Sequence, residues 1–391
     1  MSIRIKLIIM WLLLCILMIG ANIPAPLYEM YSIHFHFGTF LETLVFSMYV
    51  ITLIPSMLFS GRWSDKHGKR SIIISGMVLA ISGSLLFMFA ENITSLFLAR
   101  SIQGIAAGMV AGPATAFIGE LTESNHTALI GASATSSGTA IGPLMGGIIF
   151  QYLPYKFHLL YIIYLIIIIS ISIVFTGIGE NIHNVNSKDF HSMHYSIPKK
   201  IRPVFVIAST GAFIVWSITA FYMSLASTFI YQLLHITDVS ITGGIVFLML
   251  IISFITQMLS RNFNSRKMLI SGLIISVMAL LFIVCSGIYN NVILFLIATV
   301  MAGTGQGLAF LGSMGLITRS VSPSNRGYII SMFYITIYLG VGLPIVVIGL
   351  FSELTGIINS MIIYFIFILI LSVSVIIMIG MERRRGGITA I

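Results

Sequence analysis

Gly61-Arg62-Trp63-Ser64-Asp65-Lys66-His67-Gly68-Lys69-Arg70 stands between two apolar runs, 40–60 and 71–90. Each run is close to the roughly 20 residues that a bilayer-spanning helix needs. Two glycines permit a sharp turn, four lysines and arginines favour the cytoplasmic face, and Asp65 is an acid in a chain that holds few. The stretch therefore reads as a short basic connection between two spans, and the rest of the chain is read outward from it.

The same criterion predicts spans at 7–29, 40–60, 71–90, 93–118, 127–150 and 158–178. After a polar interval come 203–229, 239–260, 268–287, 292–318, 328–350 and 356–380, twelve in all. The first run, Leu7 to Tyr28, is too long for a signal peptide and no small-residue cleavage site follows it, so it reads as span 1. Of 391 residues 58% are apolar and 8% charged, and the mean hydropathy is +1.07. That composition excludes a soluble enzyme, a secreted disulfide scaffold and a disordered chain. Cys15 and Cys285 lie inside apolar runs and read as small hydrophobic residues. The expected fold class is an all-α membrane protein of twelve transmembrane helices in two pseudo-symmetric six-helix halves.

Basic residues set the direction. With both termini cytoplasmic, 18 of the 20 lysines and arginines fall inside, leaving Lys156 in an outer loop and Arg100 within span 4. The net charge of +9 thus reports topology and attraction to anionic inner-leaflet lipid, with no face suited to nucleic acid. The abundance of isoleucine suits an AT-rich bacterial genome, and the expected location is a cell membrane.

The polar interval divides the chain into 1–179, a cytoplasmic linker 180–202, and 203–391. The linker carries His183, His191 and His194, irregularly spaced, which suits a flexible connection. The halves echo each other. Gln103-Gly104 recurs 203 residues on as Gln306-Gly307, and Ser124-Asn125 recurs 200 residues on as Ser324-Asn325. In that register Gly138, Gly142 and Pro143 correspond to Gly340, Gly342 and Pro344. Two like halves running in one direction suit a parallel repeat with a site near mid-membrane.

The opening stretch closely resembles the signature loop of the major facilitator superfamily, G-x-x-x-D-[RK]-x-G-[RK]-[RK], at Gly61, Asp65, Lys66, Gly68, Lys69 and Arg70. The twelve-span, two-half plan is that family's plan as well. By this resemblance Asp65 would engage the cytoplasmic end of span 11 and Arg70 would lock an inner gate. The second-half loop, Ser260 to Lys267, lacks the glycines and the acid, so the lock is expected to be one-sided. In span 4, Arg100-Ser101-Ile102-Gln103-Gly104 looks like the family's R-x-x-Q-G motif, whose arginine is tied to proton transfer in proton-coupled exporters. Placing an arginine within a span costs roughly 2.5–3.5 kcal/mol on insertion scales, and the alternative to a functional role is that Arg100 snorkels to the outer surface. In span 5, Gly138, Gly142 and Gly146 share one stripe at i, i+4 and i+8, beside Pro143 and Gly147. This arrangement, G-x-x-x-G-P-x-x-G-G, resembles the antiporter motif of the family's exporting branches. It also serves close helix packing in its own right.

Candidate chemistry follows from the few polar groups in or near spans. Glu29, Glu42 and Arg100 all fall in the outer part of the first half, and alternating contact with one arginine would let such carboxylates load and release a proton. The alternative places both glutamates among outer headgroups. Pro24 and Pro26 should break the first span near its outer end. Many drug exporters of the family it resembles keep an acid deep in span 1; here Asn22 takes the deeper place and Glu29 the shallower, a departure that counts against broad cationic-drug specificity. Asn22, Gln103, Trp216, Tyr222, Gln257, Gln306, Tyr334 and Tyr338 are candidate substrate contacts. His34 and His36, alternate residues of an outer loop read as extended, could touch a metal, although two ligands without a third make no metal site. No cofactor is expected, and no nucleophile–base set suggests an enzyme.

The leading expectation is a proton-antiporting secondary exporter of a small amphipathic or zwitterionic compound, acting as a monomer in the bilayer. Export of a dedicated metallophore such as an opine-type chelator, import of a nutrient by the same fold, and a non-transporting sensor are the alternatives.

Overall fold

The computed structural model describes residues 2–122, 124–177, 197–199, 201–321 and 326–384; within these, the side chains at 62, 65, 124–129, 326–327 and 383–384 lie outside the description. The described residues form helices and no strand. In chain order they are α1 (Ile3–Asn22), α2 (Tyr28–Phe35), α3 (Thr39–His67), α4 (Lys69–Met88), α5 (Ile93–Leu121), α6 (Ser124–Tyr152) and α7 (Lys156–Thr176). Then come α8 (Arg202–Ser224), α9 (Ala226–Leu233), α10 (Val239–Ser260), α11 (Ser265–Ile288), α12 (Val292–Ser320), α13 (Arg326–Thr355) and α14 (Ile357–Arg384).

Eleven of these segments among the described residues are long and apolar enough to cross a bilayer, α1 and α2 counting together as one. The remaining long helix is α6, 29 residues rich in Gly, Ser and Thr, whose small polar residues dilute its hydropathy. Side chains close the helix ends where the sequence supplies them. Asn92, Asn264 and Asn291 each accept from the first free backbone N–H groups of α5, α11 and α12 at 2.9–3.2 Å.

Two compact units result. The first holds Met1–Phe37, Leu44–Ser192 and Asp238–Phe247, and the second holds Gly38–Thr43, Met193–Thr237 and Leu248–Ile391. Each keeps a short piece of a helix that otherwise belongs to the other. In the first unit α4 packs on α5, and α1 on α6; in the second α11 packs on α12, and α13 on α8. Most of the linker read from the sequence lies outside the described residues.

Three local differences from the sequence reading have simple causes. The stretch 61–70 is mostly helix: α3 continues to His67, and the turn is concentrated at Gly68, whose φ of 86° is costly for any residue with a Cβ. Asp65 therefore sits in the last turn of α3, within a helix and not in the connection between two spans. His34 lies in the last turn of α2 and His36 closes it in the left-handed region at φ 55°, so the pair is not on an extended segment.

Candidate functional site

The proline-broken first span organises the first unit. Pro24 has no N–H to give the Gly20 carbonyl four residues back, and a 3₁₀ turn at Ala25–Leu27 replaces the α-helical ladder before α2 begins. Side chains from α5 meet the carbonyls so exposed. Gln103 Nε2 donates to Gly20 O at 3.3 Å, and Arg100 Nη1 donates to Ala21 O at 2.7 Å and to Gln103 Oε1 at 3.1 Å. A cation is also well placed at the carbonyl-rich end of α1. The rings of Tyr28, Phe46 and Tyr49 surround the guanidinium at 5.9, 5.7 and 4.8 Å. Arg100 is 3% exposed, so it is held inside the bundle and does not reach an outer surface. Beside it, Leu17, Gly20, Ala21, Ala80, Gln103, Ala107 and Tyr164 line a cavity of about 10 Å³. That is room for about one water, far short of the roughly 300–1,000 Å³ of a drug-sized site.

Both outer glutamates are buried, Glu29 at 4% and Glu42 at 0% exposure. Glu29 occupies the first turn of α2, where the helix start favours an acid. Glu42 occupies the first turn of α3, a piece that packs in the second unit, and both its carboxyl oxygens face Thr228 Oγ1 of α9. The structure thus gathers Arg100 with Gln103, Tyr28 and the end of α1, and gathers Glu42 with Thr228.

The α6 glycine stripe faces α1. A Cβ at Gly138, Gly142 or Gly146 would run into the carbonyls of Cys15, Ile19 and Ile23, one per turn. Absence of side chains is what lets the two backbones touch. Asn22 lines the same seam, its Nδ2 bonded to Met18 O at 2.7 Å. Gly147 and the Pro143 carbonyl face the other way, against Val239–Gly243 at the start of α10.

At the opposite end, the signature stretch ties α4 to its neighbours. Lys69 pairs with Glu120 near the end of α5, and Arg70 donates to the Thr176 carbonyl at the end of α7. Lys66 is exposed, and a Cβ on Gly61 would meet nothing within 4 Å. The side chains of Arg62 and Asp65 lie outside the described residues. The second unit has a counterpart that its degenerate loop did not suggest: Arg266, in the first turn of α11, donates to the Ile379 carbonyl near the end of α14 at 3.0 Å.

In the second unit Ser253 joins two of the candidate contacts, donating to Gln306 Oε1 and accepting from Gln257 Nε2 at 3.1 Å. Tyr222 is fully buried, bonded to Thr299 at 3.2 Å and tilted on Phe295, which makes it core. Trp216 meets Phe310 edge-on at 5.7 Å, and its buried indole N–H has no acceptor among the described residues. Tyr334 and Tyr338 sit half-buried on α13.

One feature of the first unit escaped the sequence reading. Thr52, Ser56 and Ser60 of α3 donate in turn to Ser101 O, Ile105 O and Gly108 O of α5 at 2.9, 2.8 and 3.1 Å. Gly104 and Gly108 allow that approach. The spacing of four was the available signal.

The sequence matches the Major Facilitator Superfamily over residues 10–260 and 208–388. It is 30% identical to Multidrug resistance protein 1 of Bacillus subtilis over 152 residues, 37% of this chain and 39% of that protein. It is 27% identical to Multidrug resistance protein 2 of the same organism over 218 residues, 54% of this chain and 53% of that protein. The chain thus spans about half or less of the length of these two curated relatives. Among solved structures, a bacterial homolog of the human lysosomal transporter Spinster, inward-facing and unoccupied, superposes with a TM-score of 0.79 at 13% identity, covering 97% of both chains.

Proposed function

We propose that this chain, which belongs to the Major Facilitator Superfamily, is a secondary transporter that carries a small amphipathic or zwitterionic compound out of the cell in exchange for protons. The observation that carries the export reading is the α1–α6 seam. Its glycines stand in the pattern of the family's antiporter motif and seat α6 on three successive carbonyls of α1. The relatives named for multidrug resistance support the same direction.

Proton exchange is supported by the burial of Glu29, Glu42 and Arg100 in a chain with only 8% charged residues. Buried ionisable groups in spans are costly and point to function. The inner ends are gated at Asp65 and Arg70, with Arg266 as the second latch. Both termini are cytoplasmic, as the distribution of lysine and arginine favours.

A second reading concerns the cargo. Asn22 in the deeper place of span 1, and the uncharged set of Trp216, Gln257, Gln306, Tyr334 and Tyr338, favour an amphoteric metabolite such as a metal-free opine-type chelator over a cationic drug. Inside-out vesicles made acidic within should accumulate ethidium or such a chelator, and a protonophore should abolish the accumulation. Movement of either compound that ignores the proton gradient, or movement of neither, defeats the exchange reading.

A further inference from the structure

Tyr164 of α7 is 1% exposed, and its hydroxyl makes no hydrogen bond among the described residues. Three comparably buried tyrosines each bond theirs: Tyr161 to Tyr31 at 2.9 Å, Tyr222 to Thr299 at 3.2 Å and Tyr364 to Ser217 at 2.7 Å. A buried O–H without an acceptor is costly, so the Tyr164 proton calls for a partner. Gly20 of α1 makes room for this hydroxyl, since a Cβ there would run into it.

One space adjoins these groups. Tyr164, Gly20, Ala21, Ala80, Gln103 and Ala107 line the cavity of about 10 Å³ beside Arg100, inside the first unit. That volume admits one water and nothing larger. The residues around it have hydrogen-bonding capacity to spare. Gln103 Oε1 takes one bond from Arg100 and has a second lone pair. The Gly20 carbonyl takes one bond from Gln103 and also has a second lone pair, which Pro24 has no N–H to fill. A monovalent cation of similar size is disfavoured, because the Arg100 guanidinium is bonded to the same amide.

We propose that this cavity is a binding site for one ordered water molecule. The water accepts the Tyr164 O–H and donates to Gln103 Oε1 and to the Gly20 carbonyl, the three bonds usual for a buried water. It thereby fastens α7 to the joint where α5 meets the broken end of α1. Arg100 and Gln103 hold that break directly, and Tyr164 holds it through the water. The site stands independently of the cargo and of proton exchange.

X-ray radiolysis of the full-length protein in lipid nanodiscs tests it, because a bound water yields hydroxyl radicals in place and these label the side chain beside it. Mass spectrometry should find dose-dependent oxygen addition at Tyr164 and only background at Tyr222 and Tyr364. Ala107→Leu, or Ala80→Leu from α4, fills the cavity and should abolish the label at Tyr164 while the label on exposed Tyr155 stays level. Tyr164→Phe gives a second reading. With the water in place it removes a bond, and the thermal midpoint should fall, as it should for Tyr222→Phe; with a hydroxyl that has no partner it removes an unpaired polar group, and the midpoint would rise. An unlabelled Tyr164, which a dry cavity or a bound cation would give, overturns the proposal, and so does a Tyr164→Phe variant more stable than the wild type.

Discussion

Among the described residues two spans are broken in their outer parts, at Asn22 and at Leu225, and the first break comes with a cation. α1 ends at Asn22 and α2 resumes for eight residues; α8 ends at Ser224 and α9 resumes for eight residues. In the first case Pro24 removes the donor due to the Gly20 carbonyl, which accepts from Gln103 instead, and the Ala21 carbonyl, beside the 3₁₀ turn at Ala25–Leu27, accepts from Arg100. In the second the break at Leu225 contains no proline. Leu225 N still reaches Phe221 O, and Phe229 N still reaches Leu225 O, both at 2.9 Å. The internal repeat shows the consequence: 203 residues after Gln103 stands Gln306, but 203 residues after Arg100 stands Gly303. Where the backbone keeps its own bonds, the fold does without the arginine. A buried charge in a span thus has a structural origin as well as a chemical use, and the two can be separated by mutation.

Leu225→Pro tests the comparison most severely. It would create a proline break in α8 with no side chain to meet the freed Phe221 carbonyl, at a cost of about 3 kcal/mol or more. Thermal unfolding in detergent should show a large loss of stability; a near-neutral result would mean that α8 needs no ladder at this point. Next comes Gly142→Leu in the α1–α6 seam. Even its Cβ would lie 2.7 Å from Ile19 O, a backbone atom that cannot turn aside. Overpacking of this kind costs about 1–3 kcal/mol, and folded yield should fall while Gly244→Ala, whose Cβ would meet nothing within 4 Å, stays level.

Arg100→Ala should cost about 1–3 kcal/mol by leaving Ala21 O and Gln103 short of partners. Pro24→Ala returns an N–H to the Gly20 carbonyl, the partner of Gln103, so Gln103→Ala should cost less in the Pro24→Ala background than alone. A double-mutant cycle of these two with no coupling would break the link between proline and glutamine. Smallest are the rungs of the α3–α5 ladder. Thr52→Val, Ser56→Ala and Ser60→Ala should each cost about 0.6 kcal/mol, the average for hydrogen bonds between membrane helices.

What could be read in advance followed from short-range pattern. Hydropathy marked the spans, two prolines marked the first break, and glycines four apart marked a seam, because each depends on neighbours within a turn or two. The second break was not legible, since Leu225 is an ordinary helix former. Nor were the partners: Gln103 and Arg100 meet carbonyls 83 and 79 residues away, and Thr228 meets Glu42 across 186. Depth in the membrane grouped Glu29, Glu42 and Arg100 together, but it does not tell which carbonyl or hydroxyl each one meets. Depth is one coordinate of three. The hydroxyl ladder was legible in principle, since Thr52, Ser56 and Ser60 repeat every four residues, but each was weighed singly as a tolerated polar residue.

The start of α10 carries a consequence for how the protein is made. Val239 N bonds to Gln151 Oε1, Ser240 meets the Tyr152 hydroxyl, and Gly243 closes on the Pro143 carbonyl, all within the first compact unit. A ribosome that has delivered the first seven helices has not yet delivered the segment that covers Gly147 and Gln151. The earlier-born bundle must wait, with that flank open to lipid or to a chaperone, until translation passes residue 247.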